Sequence, residues 1–339
     1  MSAVGTVSHT IFESYLNRLT KEDWSTAIAG LLPSIHAVDQ NATQIWFAFF
    51  PLDLFLALQE AEDPRALAGK LLLQGKYYLK DQIDSSHHFL YGHRYWPEVR
   101  RAVVDYAESN TAPDRAELAD HIRAVAGRLS QAKNVDVSLL TGITAVAFMT
   151  LRQVGLAALK ASPGTIFLDQ KRARKSPDQV LRERARDDSQ GLFGFLRTTD
   201  KVWTVTFNEN DPAARFKMMH LQEIASAAAT DRRDWSKVDE RCHEGPIPVQ
   251  CRSASCGTCW VGVLGGAEKL TAVAPRERRQ MKDFGYIDTD DPQPLIRLSC
   301  QAQGTGAVSI VIPPWNGFFG KFVRQRERGR GAEAATAQE

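Results

Sequence analysis

Four of the five cysteines in this 339-residue chain fall into one pattern: Cys251-Arg-Ser-Ala-Ser-Cys256-Gly-Thr-Cys259, then Cys300, 41 positions further on. A C-x4-C-x2-C run followed by a distant cysteine is a spacing that supplies thiolates to a two-iron, two-sulfide cluster. Three thiolates on one tight loop and a fourth from elsewhere complete two iron tetrahedra. Such a loop must bring its backbone close to a compact anion, with N–H groups turned toward the sulfurs. That requires small residues, and Ser253, Ala254, Ser255, Gly257 and Thr258 supply them.

Two other chemistries use the same residue type. A structural zinc ion usually draws on two close cysteine pairs, whereas here only Cys256 and Cys259 are two residues apart. A redox disulfide between Cys256 and Cys259 would leave Cys251 and Cys300 without a role. The pattern favours the iron–sulfur reading over both. Cys242 is surplus as a ligand and reads as structural. Other candidate sites are weaker. His87, His88 and His93 cluster, but separations of five and six do not share a helical face, so a packed histidine group is expected rather than a haem or metal site. Gly304-Thr-Gly306 begins like a dinucleotide fingerprint, yet Ser309 stands at the third glycine position and a strand follows. Trp260 after Cys259 excludes a c-type haem attachment motif.

The elements that must hold the cysteines divide into two kinds. Residues 1–165 read as helical. Thr20 and Asp23 form a capping box. Residues 41–60 are strongly apolar and should be split by Pro51. Leu118, Ile122, Val125 and Leu129 share one face of a helix over 114–129, with Thr111 and Pro113 as start signals. Residues 137–160 are apolar on most sides and predict a buried helix, stopped by Ser162-Pro163-Gly164. A basic linker, 166–200, follows, with Ser176 before Pro177 starting a short helix and a Gly-flanked aromatic loop at 191–195. It reads as a solvated connector, with a docking strip for an acidic partner as the alternative. From 201 the pattern changes: a strand at 202–207, a helix at 216–229, a charged loop at 231–244, and a strand at 260–264. A helix at 276–284 and strands at 296–298 and 307–312 complete it. This is an α+β arrangement. An aromatic-basic tail, 316–339, ends the chain, its last residues expected to be disordered.

Residues 201–312, with Pro248-Val-Gln-Cys251 through Cys259 and then Leu298-Ser-Cys300-Gln301, resemble the plant-type 2Fe–2S ferredoxin domain. The resemblance implies a β-grasp fold over 201–315 behind an all-helical N-terminal domain. It also implies Cys251, Cys256, Cys259 and Cys300 as the metal- and cofactor-binding residues of a 2Fe–2S cluster. Carried over, Cys251 and Cys256 hold one iron and Cys259 and Cys300 the other. One-electron transfer at low potential is implied, roughly −400 mV for the plant type. The interval from Cys259 to Cys300 is longer than in chloroplast ferredoxins, 270–284 looking like the extra segment of many bacterial members. A further insertion at 231–244 carries Cys242.

Charge and composition bound the partners. Residues 201–312 contain 14 Lys and Arg against 14 Asp and Glu, so the domain is neutral, unlike the acidic chloroplast-type carriers. Fixed attachment to one partner fits better, because tethering replaces electrostatic steering. The function expected is a one-electron carrier with redox-protein donor and acceptor, held by its helical domain in a larger oxidoreductase complex such as a respiratory dehydrogenase, hydrogenase or oxygenase system. Two alternatives stand beside it: an iron–sulfur subunit of an enzyme whose helical half binds a second cofactor or quinone, and an assembly or membrane-surface module. A net charge of +2 gives no argument for nucleic acid. Residues 1–14 lack a basic segment followed by an apolar one, no run reads as membrane-spanning, and the cysteines are spaced as ligands. A cytoplasmic location is expected, or a peripheral one on the membrane.

Overall fold

The computed structural model describes residues 10–186, 201–286 and 289–336; the loop expected at 191–195 lies outside them. In chain order the helices are α1 (Ile11–Arg18), α2 (Lys21–Leu31), α3 (Ala37–Phe49), α4 (Leu52–Glu60), α5 (Pro64–Lys70), α6 (Trp96–Ser109), α7 (Leu118–Lys133), α8 (Ser138–Val154), α9 (Leu156–Ala161), α10 (Gln170–Ala173), α11 (Pro177–Ala185), α12 (Ile224–Ala228), α13 (Pro275–Phe284) and α14 (Gly320–Thr336). The strands are β1 (Gln74–Gly75), β2 (Val202–Thr206), β3 (Arg215–Met219), β4 (Trp260–Gly265), β5 (Ile296–Leu298), β6 (Val308–Val311) and β7 (Trp315–Asn316). A helical N-terminal region precedes a sheet-containing C-terminal region, the α+β order expected.

The chain forms two compact units, residues 1–43 with 78–168, and residues 44–77 with 169–339. In the first, Thr20 accepts from Asp23 N while Asp23 accepts from Thr20 N, closing the capping box at the start of α2. Helix α7 buries Leu118, Ile122, Val125 and Leu129, as their spacing predicts. It starts later than Pro113, which instead opens a 3-10 turn ended by extended Ala116. Helix α8 is buried on all sides from Leu139 to Arg152. The expected single helix over 137–160 breaks at Gly155, whose φ of +82° suits glycine. Glu13, itself buried, then accepts from Leu156 N at 2.8 Å and caps α9. His87 and His93 are a packed pair: both buried, Nδ1 to Nδ1 at 2.8 Å, with the His87 ring 4.0 Å from Trp96 at a tilt of 44°. Among the described residues they form no three-ligand metal group.

In the second unit, a five-stranded mixed sheet runs in the order β3-β2-β6-β4-β5, with β2 parallel to β6 and the other pairs antiparallel. This is the β-grasp arrangement. Residues 216–229 do not form one helix. Phe216 and Met218 are buried while Arg215, Lys217 and Met219 are exposed, a period of two that pairs β3 with β2. The Ala- and Met-rich composition had masked that alternation, and only Ile224–Ala228 is helical.

The basic segment before the sheet is docked rather than solvated. Arg172 and Arg184 are 5% and 6% exposed and both grip Glu209, in the turn between β2 and β3. The Arg184 guanidinium donates to both carboxylate oxygens, at 2.6 and 2.9 Å, Arg172 donates at 2.9 Å and Ser309 at 2.6 Å. Burial opposes the charge on Glu209, but the two guanidiniums and the hydroxyl overcome it and hold the carboxyl at about 2.

Residues 44–77 belong to this unit too. The α3 helix ends at Phe49, and Pro51 begins α4 as its cap, the split expected. Against the expectation that no run is membrane-spanning, residues 37–60 are long and apolar enough, by composition, to cross a membrane, with a mean hydropathy of 1.3. The interruption at Pro51 and the 56% of its most apolar window that is buried are equally properties of a core helix pair. Strand β1 pairs with β7, and Ile45 packs on Gly262 so closely that a Cβ there would come within 2.5 Å of it. At the chain's end, α14 continues through Thr336 where an irregular end was expected. Trp315 and Phe319 are core residues, and Arg324 pairs with Asp283 of α13 at 2.9 Å.

Candidate metal centre

Cys259 and Cys300 are neighbours because of strand pairing. Trp260 of β4 faces Leu298 of β5, and Ser299 N donates to Cys259 O at 2.9 Å. The antiparallel ladder therefore closes a 41-residue gap. The turn holding Cys300 is fixed twice over. Ala225 N and Ile224 N at the start of α12 donate to Ser299 O and Ala302 O. Glu277 of α13 accepts from Leu298 N at 2.9 Å while paired with Arg297, both side chains 1% exposed. Arg297 also donates to Thr271 O, so this buried ion pair is fully engaged.

The loop from Cys251 to Cys259 coils its backbone around sulfur. Arg252, Ala254 and Gly257 have φ of +52°, +57° and +65°, and the alternation turns successive N–H groups inward. Ser253 N, Ser255 N and Cys256 N all point at Cys251 Sγ, at 3.5, 3.3 and 3.3 Å. The Cys256 Sγ meets Thr258 Oγ1 at 3.1 Å, and Gln301 Nε2 donates to Cys300 Sγ at 3.5 Å. These contacts tune the thiols. Burial raises Cys251, but the donors from Ser255, Ser253 and Cys256 outweigh it and bring it down to about 6. The Cys259 thiol donates to Cys300 and, helped by Gln301 and Ala254 N, brings Cys300 down to about 7. Cys259 is correspondingly pushed up by that bond and by burial. By contrast, burial and then Asp239 raise Cys242 to about 12, and its thiol donates to Pro246 O, as suits a structural residue.

All five cysteines are free thiols. Cys256 N donates to Cys251 Sγ at 3.3 Å, and the β4–β5 ladder sets Cys259 beside the turn that carries Cys300. Among the described residues, no three His, Cys, Asp or Glu side chains converge on one ion position. Thiols in a nest of N–H donors suit a group with net negative charge. Arg252, Ser253 and Ser255 form the exposed rim, and Ala254, Gly257, Thr258 and Cys259 are buried beneath it.

Several residues that shape the centre were not singled out from sequence. Glu277 and Arg297 lie in a short helix and a strand whose sequence marks neither as buried. Tyr286 carried no local signal beyond the Gly285 before it. Arg241 read as part of a charged loop; it is 7% exposed, donates to Pro313 O at 2.8 Å and is held by Asp239, fastening the insertion that precedes Cys251.

A family described as the 2Fe-2S iron-sulfur cluster binding domain matches residues 223–304, a span that contains all four clustered cysteines. No curated protein and no solved structure gives a significant match to the chain. The matched segment thus has a 2Fe–2S cluster as its cofactor, and the match does not extend into the helical N-terminal region.

Proposed function

We propose that this chain, with its 2Fe–2S domain over residues 223–304, is a one-electron carrier fixed by its helical half to a larger redox assembly. The observation that carries the ligand assignment is a loop whose N–H groups face Cys251 Sγ, with Cys300 brought to it by the β4–β5 ladder. These four cysteines would hold the cluster, which when bound takes up and releases one electron at a time. The protein's own part is to surround the sulfurs with donors and to leave a narrow rim, Arg252, Ser253 and Ser255, through which a redox donor or acceptor approaches. Attachment to one partner is supported by the even charge of residues 201–312 and by the inclusion of 44–77 in the cluster-bearing unit. We read the chain as the electron-transfer component of an oxidoreductase rather than a stand-alone enzyme. We place it in the cytoplasm, since four of its five cysteines are spaced as metal ligands rather than as a disulfide framework.

The test is anaerobic purification with metal and sulfide analysis. Two irons and two sulfides per chain are expected, with a rhombic paramagnetic signal after reduction. Replacing Cys251, Cys256, Cys259 or Cys300 by Ala removes the signal, and Cys242→Ala retains it. A colourless protein holding one zinc overturns the assignment. Isolation of the native complex under mild conditions decides the tethering: recovery as a free monomer at native abundance would refute it.

A further inference from the structure

Helix α13 ends in a structure aimed at the cysteine loop. Gly285, at φ +93°, caps the helix in the left-handed conformation, and its N–H and that of Tyr286 both donate to Met281 O. This sharp reversal brings Tyr286 back under the Cys256-Gly-Thr-Cys259 turn. The ring stacks on Trp260, the residue after Cys259, with centroids 4.0 Å apart and planes 11° from parallel. The hydroxyl faces two carbonyl oxygens, Gly257 O in the shorter contact and Gly317 O at 3.0 Å, and accepts from Gly317 N at 3.2 Å. Gly257 has φ +65°, and a Cβ there would meet both Phe284 and the Tyr286 hydroxyl at 3.1 Å. The seat is rigid, because Trp260 Nε1 donates to Trp315 O at 3.1 Å and Trp315 Nε1 donates to Phe49 O, at the end of α3. Burial raises the Tyr286 hydroxyl above its ordinary range, so it stays a donor.

A trans peptide is planar, and its C=O and N–H point in opposite directions. Holding Gly257 O toward Tyr286 therefore turns the N–H of Thr258 away from Tyr286. We propose that Tyr286 is a positioning residue for the iron–sulfur centre: it locks the Gly257–Thr258 peptide so that the Thr258 N–H faces the cluster-binding thiolates. The inference rests on the cluster assignment above. A fixed donor facing an anionic group favours its more negative, reduced form and resists loss of the group.

The experiment is Tyr286→Phe in the full chain, which removes the hydroxyl and keeps the ring on Trp260. The wild-type iron, sulfide and paramagnetic measurements first establish the cluster, so a failure there is a failure of the assignment and not of this inference. With the cluster in place, Y286F is expected to have a lower midpoint potential, by up to a tenfold change in the reduction equilibrium, about 59 mV for one electron. Loss of iron to a chelator should accelerate several-fold. A potential and a chelator half-life equal to wild type would overturn the proposal. If Y286F does not fold, 3-fluorotyrosine placed at 286 alone serves instead. Its hydroxyl is the stronger donor and further polarises the Gly257–Thr258 peptide. The potential should then rise, and an unchanged or lower one overturns the role.

Discussion

At the scale of single residues, two buried acids hold the second unit together. Glu277 secures the backbone two residues before Cys300, and Glu209 secures the segment from Arg172 to Arg184 against the sheet. Their burial made them invisible in sequence, where Glu and Arg read as surface. Glu209→Gln leaves two buried guanidiniums without their counter-charge, and a loss of about 3–5 kcal/mol in unfolding free energy is expected by urea titration. The wild type carries a pH signature of the same contact. The folded carboxyl lies at about 2 against an ordinary value of 4.5, so the stabilisation is complete above pH 4.5. It fades as pH falls from about 4.5 toward 2 and amounts to about 3 kcal/mol. Unfolding free energy measured from pH 6 to pH 3 should fall in the wild type and be flatter in E209Q.

At the scale of elements, the loop and the ladder divide the work. Periodicity and turn residues located most helices and strands of the C-terminal half, since Val202–Thr206 and Trp260–Gly265 carry strong strand composition. They failed at β3 and Gly155. Phe216, Met218 and Met219 favour a helix by composition but a strand by alternation, and only pairing with β2 decides between them. Gly155 looks like a tolerated glycine until its φ is known. The loop itself tolerates little. Gly257→Ala imposes a left-handed alanine, costing about 1–2 kcal/mol, and crowds Phe284 and Tyr286. Purified G257A should retain native circular dichroism and hold well under half the wild-type iron, and full iron content would contradict this account of the turn.

At the scale of the whole molecule, the cluster-bearing unit is built from two stretches of chain. Ile45 on Gly262, Phe49 against Trp260 at 5.3 Å, and β1 on β7 place residues 44–77 inside it. Deleting everything before residue 169 therefore removes part of that core. A 169–339 fragment is expected to be poorly soluble or molten and to fail to retain iron, whereas ferredoxin-like autonomy would give a brown, cooperative folder. Thermal denaturation followed at the visible absorption of the cluster distinguishes the two.

The sequence by itself determined the chemistry: four cysteines at ligand spacing, small residues between them, and a family match confined to residues 223–304. Ligand spacing on one loop is local, so it is legible without a fold. Tertiary structure decided the rest. The approach of Cys300 to Cys259 depends on the β4–β5 ladder, and the thiols' acidity depends on N–H groups turned by left-handed Arg252 and Ala254. The seat under Gly257 depends on a tyrosine 29 residues away, braced through Trp315 against Phe49. Such long-range contacts are set by packing and pairing, which leave no periodic trace along the chain.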